Sequence, residues 1–176
     1  MNQKITENFQ ASDITEIRPL TVEHLPAYAD VISKSFATVA RDFGLTKENC
    51  PGHKSFITND RLKSKFKDGY YPFGLCIGDK IIGFASLTAL NNGTYEMNDV
   101  SVLPEYRRYG YGKMILDFCK AKVKSFGGSK IIIGIMEEST VLKDWYTANG
   151  FVHTETKKFE HLPFTVGYME WKAKTE

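Results

Sequence analysis

The chain has 176 residues with 42% apolar content, 25% charged residues and a net charge of +2, which bounds it to one domain, residues 1–176, with a full core. The basic residues are scattered, so no broad electrostatic footprint favours nucleic acid, and no apolar run approaches the roughly eighteen residues of a membrane span. Cys50, Cys76 and Cys119 are odd in number and far apart, without zinc or disulfide spacing, and the first dozen residues are polar rather than signal-like. The expectation is a cytoplasmic protein with a loosely ordered lead over residues 1–12.

After that lead, Ile14 to Leu20 alternates like a short strand. Leu25, Tyr28, Ala29, Ile32, Phe36, Val39 and Phe43 then recur at helical spacing. Cys50-Pro51-Gly52 breaks the pattern, and a more basic stretch from His53 to Lys67 predicts a second helix with a solvated outer face. Strand-like runs near residues 70–77, 80–90 and 94–103 are joined by Gly78-Asp79 and Asn92-Gly93, tight-hairpin pairs that predict an antiparallel meander. A helix follows from about Gly110 to Phe126, ended by Gly127-Gly128. Lys130 to Met136 is β-branched enough for a fully buried strand, parallel to the one before the helix. A helix over Thr140–Asn149 and strands through Val152–Lys158 and Thr165–Trp171 complete one α/β (α+β) domain. Its sheet is mixed and mostly antiparallel, with six to seven strands and about four helices.

The segment VLPEYRRYGYGK, Val102 to Lys113, is where chemistry concentrates. Gly110 and Gly112 remove Cβ atoms where a turn enters a helix, so that backbone N–H groups can approach a phosphate. Arg107 and Arg108 add fixed positive charge at the positive end of a helix. The predicted ligand is a pyrophosphate. A Walker loop is excluded because Met114 follows Gly112-Lys113 where Ser or Thr must hold magnesium. A dinucleotide loop needs a third glycine where Ile115 stands, although Glu137 loosely mimics its ribose-binding acid.

The pattern that remains, Arg107-Arg108-Tyr109-Gly110-Tyr111-Gly112 behind a strand ending in Val-Leu-Pro, resembles the acyl-CoA loop of the Gcn5-related N-acetyltransferases. WYTANGF, one strand later, fits the same family order, and the resemblance extends from Ile14 to Trp171. It implies acetyl-CoA as co-substrate, no metal, and a splayed central parallel pair of strands. The backbone of Val100, Ser101 and Val102 would hold the pantothenate arm and polarise the thioester carbonyl. Arg107, Arg108, Tyr109, Gly110, Tyr111, Gly112 and Lys113 would form the diphosphate loop.

The resemblance also implies that Tyr146 protonates the departing thiolate. An ordinary phenol with pKa about 10 is protonated at neutral pH, and donation to a thiolate of pKa about 8.5 is uphill by at most ~2 kcal/mol. The alternative is an interior tyrosine packed beside Trp145 and Phe151. Ser139, seven residues before Tyr146, departs from the family's usual cofactor-contacting Asn. Glu96, fourteen residues before Gly110, matches the general-base glutamate of the histone-acetylating branch, with a solvent-facing strand carboxylate as the alternative. Asp99 has the opposite parity from Glu96 unless a bulge changes the order.

His24, His53, His153 and His161 share no metal-ligand spacing, but His161 in FEHLPF sits where family members shape the acceptor pocket. The acceptor is expected to be a small-molecule or peptide amine held between the first two helices and the final hairpin. A polyamine, an antibiotic, an amino acid and a protein lysine all fit the sequence. Homodimer formation through the last strands is a further expectation, and a non-catalytic acyl-CoA-binding or regulatory module is the alternative function.

Overall fold

A computed structural model describes residues 14–174. The predicted lead at residues 1–12 lies outside the described residues. Seven strands form one sheet in the order β1-β2-β3-β4-β5-β7-β6. Strands β2 (Tyr70–Ile77), β3 (Lys80–Ala89) and β4 (Thr94–Val102) form the antiparallel meander that the two hairpin pairs predict, and β1 (Thr15–Pro19) pairs antiparallel with β2. Helix α1 (Leu25–Asp42) follows β1, and the short α2 (Asn59–Lys63) precedes β2. Helix α3 (Tyr111–Ser125) carries the crossover from β4 to β5 (Lys130–Met136), the parallel pair. After α4 (Thr140–Ala148) come β6 (Val152–Lys158) and β7 (Thr165–Lys172), and β7 lies between β5 and β6.

The two faces of the sheet take different helices. On one, Tyr28 of α1 stacks on Phe84 of β3, with ring centroids 4.9 Å apart. On the other, Phe118 of α3 meets Phe73 of β2 edge-on at 5.0 Å. Ile32, Leu62, Leu87, Leu116 and Ile131 are sealed between these layers, each removing apolar surface worth about 1.5–3 kcal/mol.

Two expectations change. The single helix predicted over His53–Lys67 divides into a 3₁₀ turn, Lys54–Phe56, and α2, because Ile57 and Thr58 are extended and Thr58 Oγ1 caps α2 by accepting from Arg61 N. Nor is β5 buried on both faces. Ile131, Ile133 and Ile135 are buried, whereas Ile132 is half-buried and Gly134 exposed, so β5 alternates. Only at its end does the α1 face close again, where Met136 packs with Ala40, Leu45, Leu162 and Phe164.

Candidate active site

The parallel pairing of β4 with β5 runs only through Thr94–Lys130, Tyr95–Ile131 and Glu96–Ile132. Beyond Glu96 the strands part, and residues 97–102, including Val100, Ser101 and Val102, have no strand partner on that side. A sheet interior opened in this way presents main-chain donors and acceptors to whatever enters the cleft. Glu96 stands at its vertex.

Cross-strand partners share a face, so Glu96, opposite Thr88, and Asn98, opposite Ser86, lie with Phe84 on the α1 side. The register then slips. Phe84 faces Ser101 and Ser86 faces Asn98, which leaves the single Ala85 opposite both Asp99 and Val100. Asp99 takes the positive φ, 58°, that this bulge requires. The extra residue reverses the parity of the strand and turns Asp99 toward the same side as Glu96, as the sequence reading allowed for a bulge.

There Asp99, its side chain fully buried, lies 2.7 Å from Lys65 Nζ and 2.7 Å from Lys54 Nζ. Burial alone would raise its pKa, but the Lys54 and Lys65 ammonium groups outweigh burial and hold it below the usual carboxylate range. Burial conversely lowers Lys54, opposed by Asp99. The basic face of the second helical stretch is therefore not simply solvated, as the sequence reading expected. It folds over β4. A cavity of about 330 Å³ opens beside this ion pair, lined by Ser64, Lys65, Lys67, Tyr70, Thr88, Glu96 and Asn98. Sequence reasoning missed Lys54, Lys65, Lys67 and Tyr70. The only available signal was the density of lysines from Lys54 to Lys67 on a stretch followed by a buried strand.

The loop after β4 has a different architecture from its sequence expectation in one respect. Arg107 turns away from the helix mouth: its Nε donates to Val102 O (3.1 Å), Nη1 to Thr38 Oγ1 (3.0 Å) and Nη2 to Ser35 O (2.7 Å). It straps the end of β4 to α1. Arg108, at φ 69°, and Tyr109, 74% exposed, face solvent beside the helix mouth. Gly110 is the N-cap of α3 at φ 83°, a conformation that favours glycine, and a Cβ there would meet open space. The first-turn N–H groups of Tyr111, Gly112 and Lys113 lie beyond the reach of intrahelical acceptors. Lys113 pairs with Asp117 one turn on. Gly112 answers to packing, since a Cβ would lie 3.0 Å from Trp145 Cζ2. Open space before the helix, free amides and an exposed arginine suit a diphosphate.

Tyr146 sits in α4, 5% exposed, edge-on to Trp145 (4.9 Å) and to Phe151 (5.3 Å). Burial, with Cys119 as a second cause, pushes its pKa well above the ordinary phenol value. Burial also pushes the Cys119 thiol up to about 12, so this pair stays neutral. Ser139 is the N-cap of α4 but its hydroxyl caps nothing; its N–H donates to Met136 O at 3.0 Å.

The histidines lie apart. His24 bonds Thr21, His53 bonds Ser55 and is flanked by Phe36 and Phe56, and His153 bonds Glu137 at 2.9 Å. His161 is exposed beside Phe159, in the segment whose Leu162 and Phe164 pack near the end of α1. Glu137 is held by Lys143 and His153. No group of His, Cys, Asp and Glu among the described residues could hold a metal ion, and no described helix is long and apolar enough to cross a membrane.

Comparison with known proteins meets this geometry. No curated protein matches the sequence. Among solved structures, the ribosomal-protein-S18-alanine N-acetyltransferase of Escherichia coli aligns with a TM-score of 0.75 at 15% identity, over 93% of this chain and 96% of that one. The PaiA N-acetyltransferase of Thermoplasma acidophilum, in complex with coenzyme A, aligns at 0.70 and 21% identity over 90% and 99%. The putative streptothricin acetyltransferase of Bacillus anthracis, in complex with acetyl coenzyme A, aligns at 0.56 and 19% identity over 62% and 65%. At these identities the likeness is one of fold. The model of the Acetyltransferase (GNAT) family matches residues 38–151, more than half of the chain, from the second half of α1 through the parting strands and the α3 loop to Phe151. The chain belongs to the GNAT acetyltransferase family.

Proposed function

We propose that the protein transfers the acetyl group of acetyl-CoA to a primary amine of a small molecule or peptide, by direct attack within a ternary complex. The observation that carries this reading is the parting of β4 from β5 immediately after Glu96, which puts a carboxylate at the vertex of the cleft and on the wall of the adjoining cavity.

In this reading the diphosphate of acetyl-CoA lies on the first-turn amides of α3 with Arg108 beside it, and the pantothenate arm lies along Val100, Ser101 and Val102. The amine enters from the α1 side. An alkylamine is neutral in only about one molecule per thousand at pH 7, so a proton acceptor is needed. Glu96 serves, directly or through a water. Nitrogen bonds to the carbonyl carbon, the carbon–sulfur bond breaks, and the sulfur takes up the charge. Tyr146 meets that sulfur as a donor. Because burial raises its pKa, complete proton transfer costs more than for an ordinary phenol, and its contribution is a hydrogen bond that strengthens as charge develops.

The test is CoA release with a panel of amines, for the wild type and Glu96→Gln. The variant should bind acetyl-CoA normally and turn over about a hundredfold more slowly. The deficit should narrow as pH approaches the amine pKa of about 10.4, where the nucleophile is already free. Tight acetyl-CoA binding without release to any amine would replace this reading with a regulatory acyl-CoA-binding module.

A further inference from the structure

The cavity beside Glu96 carries more positive than negative charge. Lys54 and Lys65 both reach the one buried carboxylate of Asp99. Lys67, also on the cavity wall, has no ion-pair partner among the described residues, and Glu96 is the single carboxylate on that wall. Three ammonium groups against two carboxylates leave one formal positive charge, which sits with the exposed Lys67 at the open rim of the cavity, where an incoming anion can meet it. A second feature points the same way. Tyr70, on the same wall, buries its hydroxyl against the Ser86 side chain. Burial, opposed by the Ser86 contact and aided by Asp99, pushes that phenol up to about 12, so it remains a donor.

We propose that the acceptor is an amine that also carries a carboxylate, held by Lys67 and Lys65 with Tyr70 as a supporting donor while the amine nitrogen lies at Glu96. This rests on the acetyltransferase reading of the same site. One carboxylate brings the cavity to balance, whereas a phosphate dianion would overshoot it. A polyamine would place further ammonium groups against Lys65 and Lys67 and would claim Glu96 as a counter-ion when it is needed as a base. Amino acids and the acidic ends of short peptides have the required chemistry.

The experiment pairs carboxylate-bearing amines with their carboxamides: α-amino acids, ω-amino acids and dipeptides, each against its amide. CoA release should favour the carboxylate member by about tenfold or more in kcat/KM, the effect lying in KM and shrinking with added salt. Lys67→Met should bring the carboxylate member down to the level of its amide, and Lys67→Arg should retain the preference. Calorimetry of the same pairs against the protein saturated with CoA reads the preference without turnover. If no amine releases CoA yet carboxylates still bind in preference to amides, the anion site stands and the acetyltransferase reading falls. Carboxamides or polyamines binding and reacting as well as carboxylates would overturn the proposal, as would equal losses for both members in Lys67→Met.

Discussion

Gly112 of α3 and Trp145 of α4 touch so closely that a Cβ on the glycine would lie 3.0 Å from the indole Cζ2. Trp145 precedes Tyr146, so the mouth of α3 is in register with the proposed proton donor. Gly112→Ala gains up to about 1 kcal/mol of helix propensity but forces the indole to shift by a few tenths of an ångström. These effects oppose each other, and Tm should move by no more than about 4 °C. Turnover should nonetheless fall by about tenfold, because small displacements of a reacting group are costly. An unchanged kcat would reject this coupling.

Tyr146→Phe keeps the edge-on packing with Trp145 and Phe151 and removes only the hydroxyl. Affinity for acetyl-CoA should be nearly unchanged and kcat should drop by about tenfold or more. Since burial raises this phenol, the wild-type rate should show no loss from Tyr146 ionisation up to pH 10. Equal turnover in the variant would assign Tyr146 to packing alone.

The two arginines of the loop should separate cleanly. Arg107→Gln loses three hydrogen bonds that tie β4 to α1, and denaturant unfolding should show a loss of about 2–3 kcal/mol. Arg108 is exposed, so Arg108→Ala should leave the unfolding midpoint within about 0.5 kcal/mol of wild type while weakening acetyl-CoA binding and reducing its salt dependence. Matching losses of stability in both variants would contradict the division.

Asp99→Asn leaves the Lys54 and Lys65 ammonium groups together without their carboxylate, and should cost about 3 kcal/mol. The folded carboxyl lies below its unfolded value of about 3.9, so its contribution is full above about pH 5 and disappears as pH falls through the lowered folded value. The wild type should lose stability in that acid range and the variant should lose less. Parallel acid unfolding curves would show that the pair is not stabilising.

The order of elements was legible because each carries a local cause. The hairpin pairs Gly78-Asp79 and Asn92-Gly93 sit between alternating runs, and the period of α1 and α3 is set by apolar residues on one face. The R-x-x-G-x-G pattern marked the α3 loop, and the family resemblance singled out Glu96 and Tyr146 as candidates. What sequence could not reveal depends on partners distant along the chain. Arg107 reads as a phosphate ligand until Ser35 and Thr38 claim it. Gly112 reads as a phosphate glycine alone, and the sequence does not announce that Trp145 also packs against it. The lysines from Lys54 to Lys67 read as a wet helix face because nothing local announces Asp99, 34 residues beyond Lys65. The gap between α2 and its longer prediction has a local cause, the capping Thr58, that the basic periodicity concealed.

The inserted residue in β4 acts as a phase shifter. Upstream of it, even-numbered side chains look toward α1; at Ser101 the odd-numbered ones do. Removing Val100 would leave a regular ladder in which Ser101 still faces Phe84 but Asp99, alone opposite Ala85, turns into the greasy layer under α3 and strands Lys54 and Lys65. The strand's ability to present acid chemistry on one side and bare main chain along its edge thus hinges on one unit of length, and shortening it would be felt more sharply than most changes of side chain.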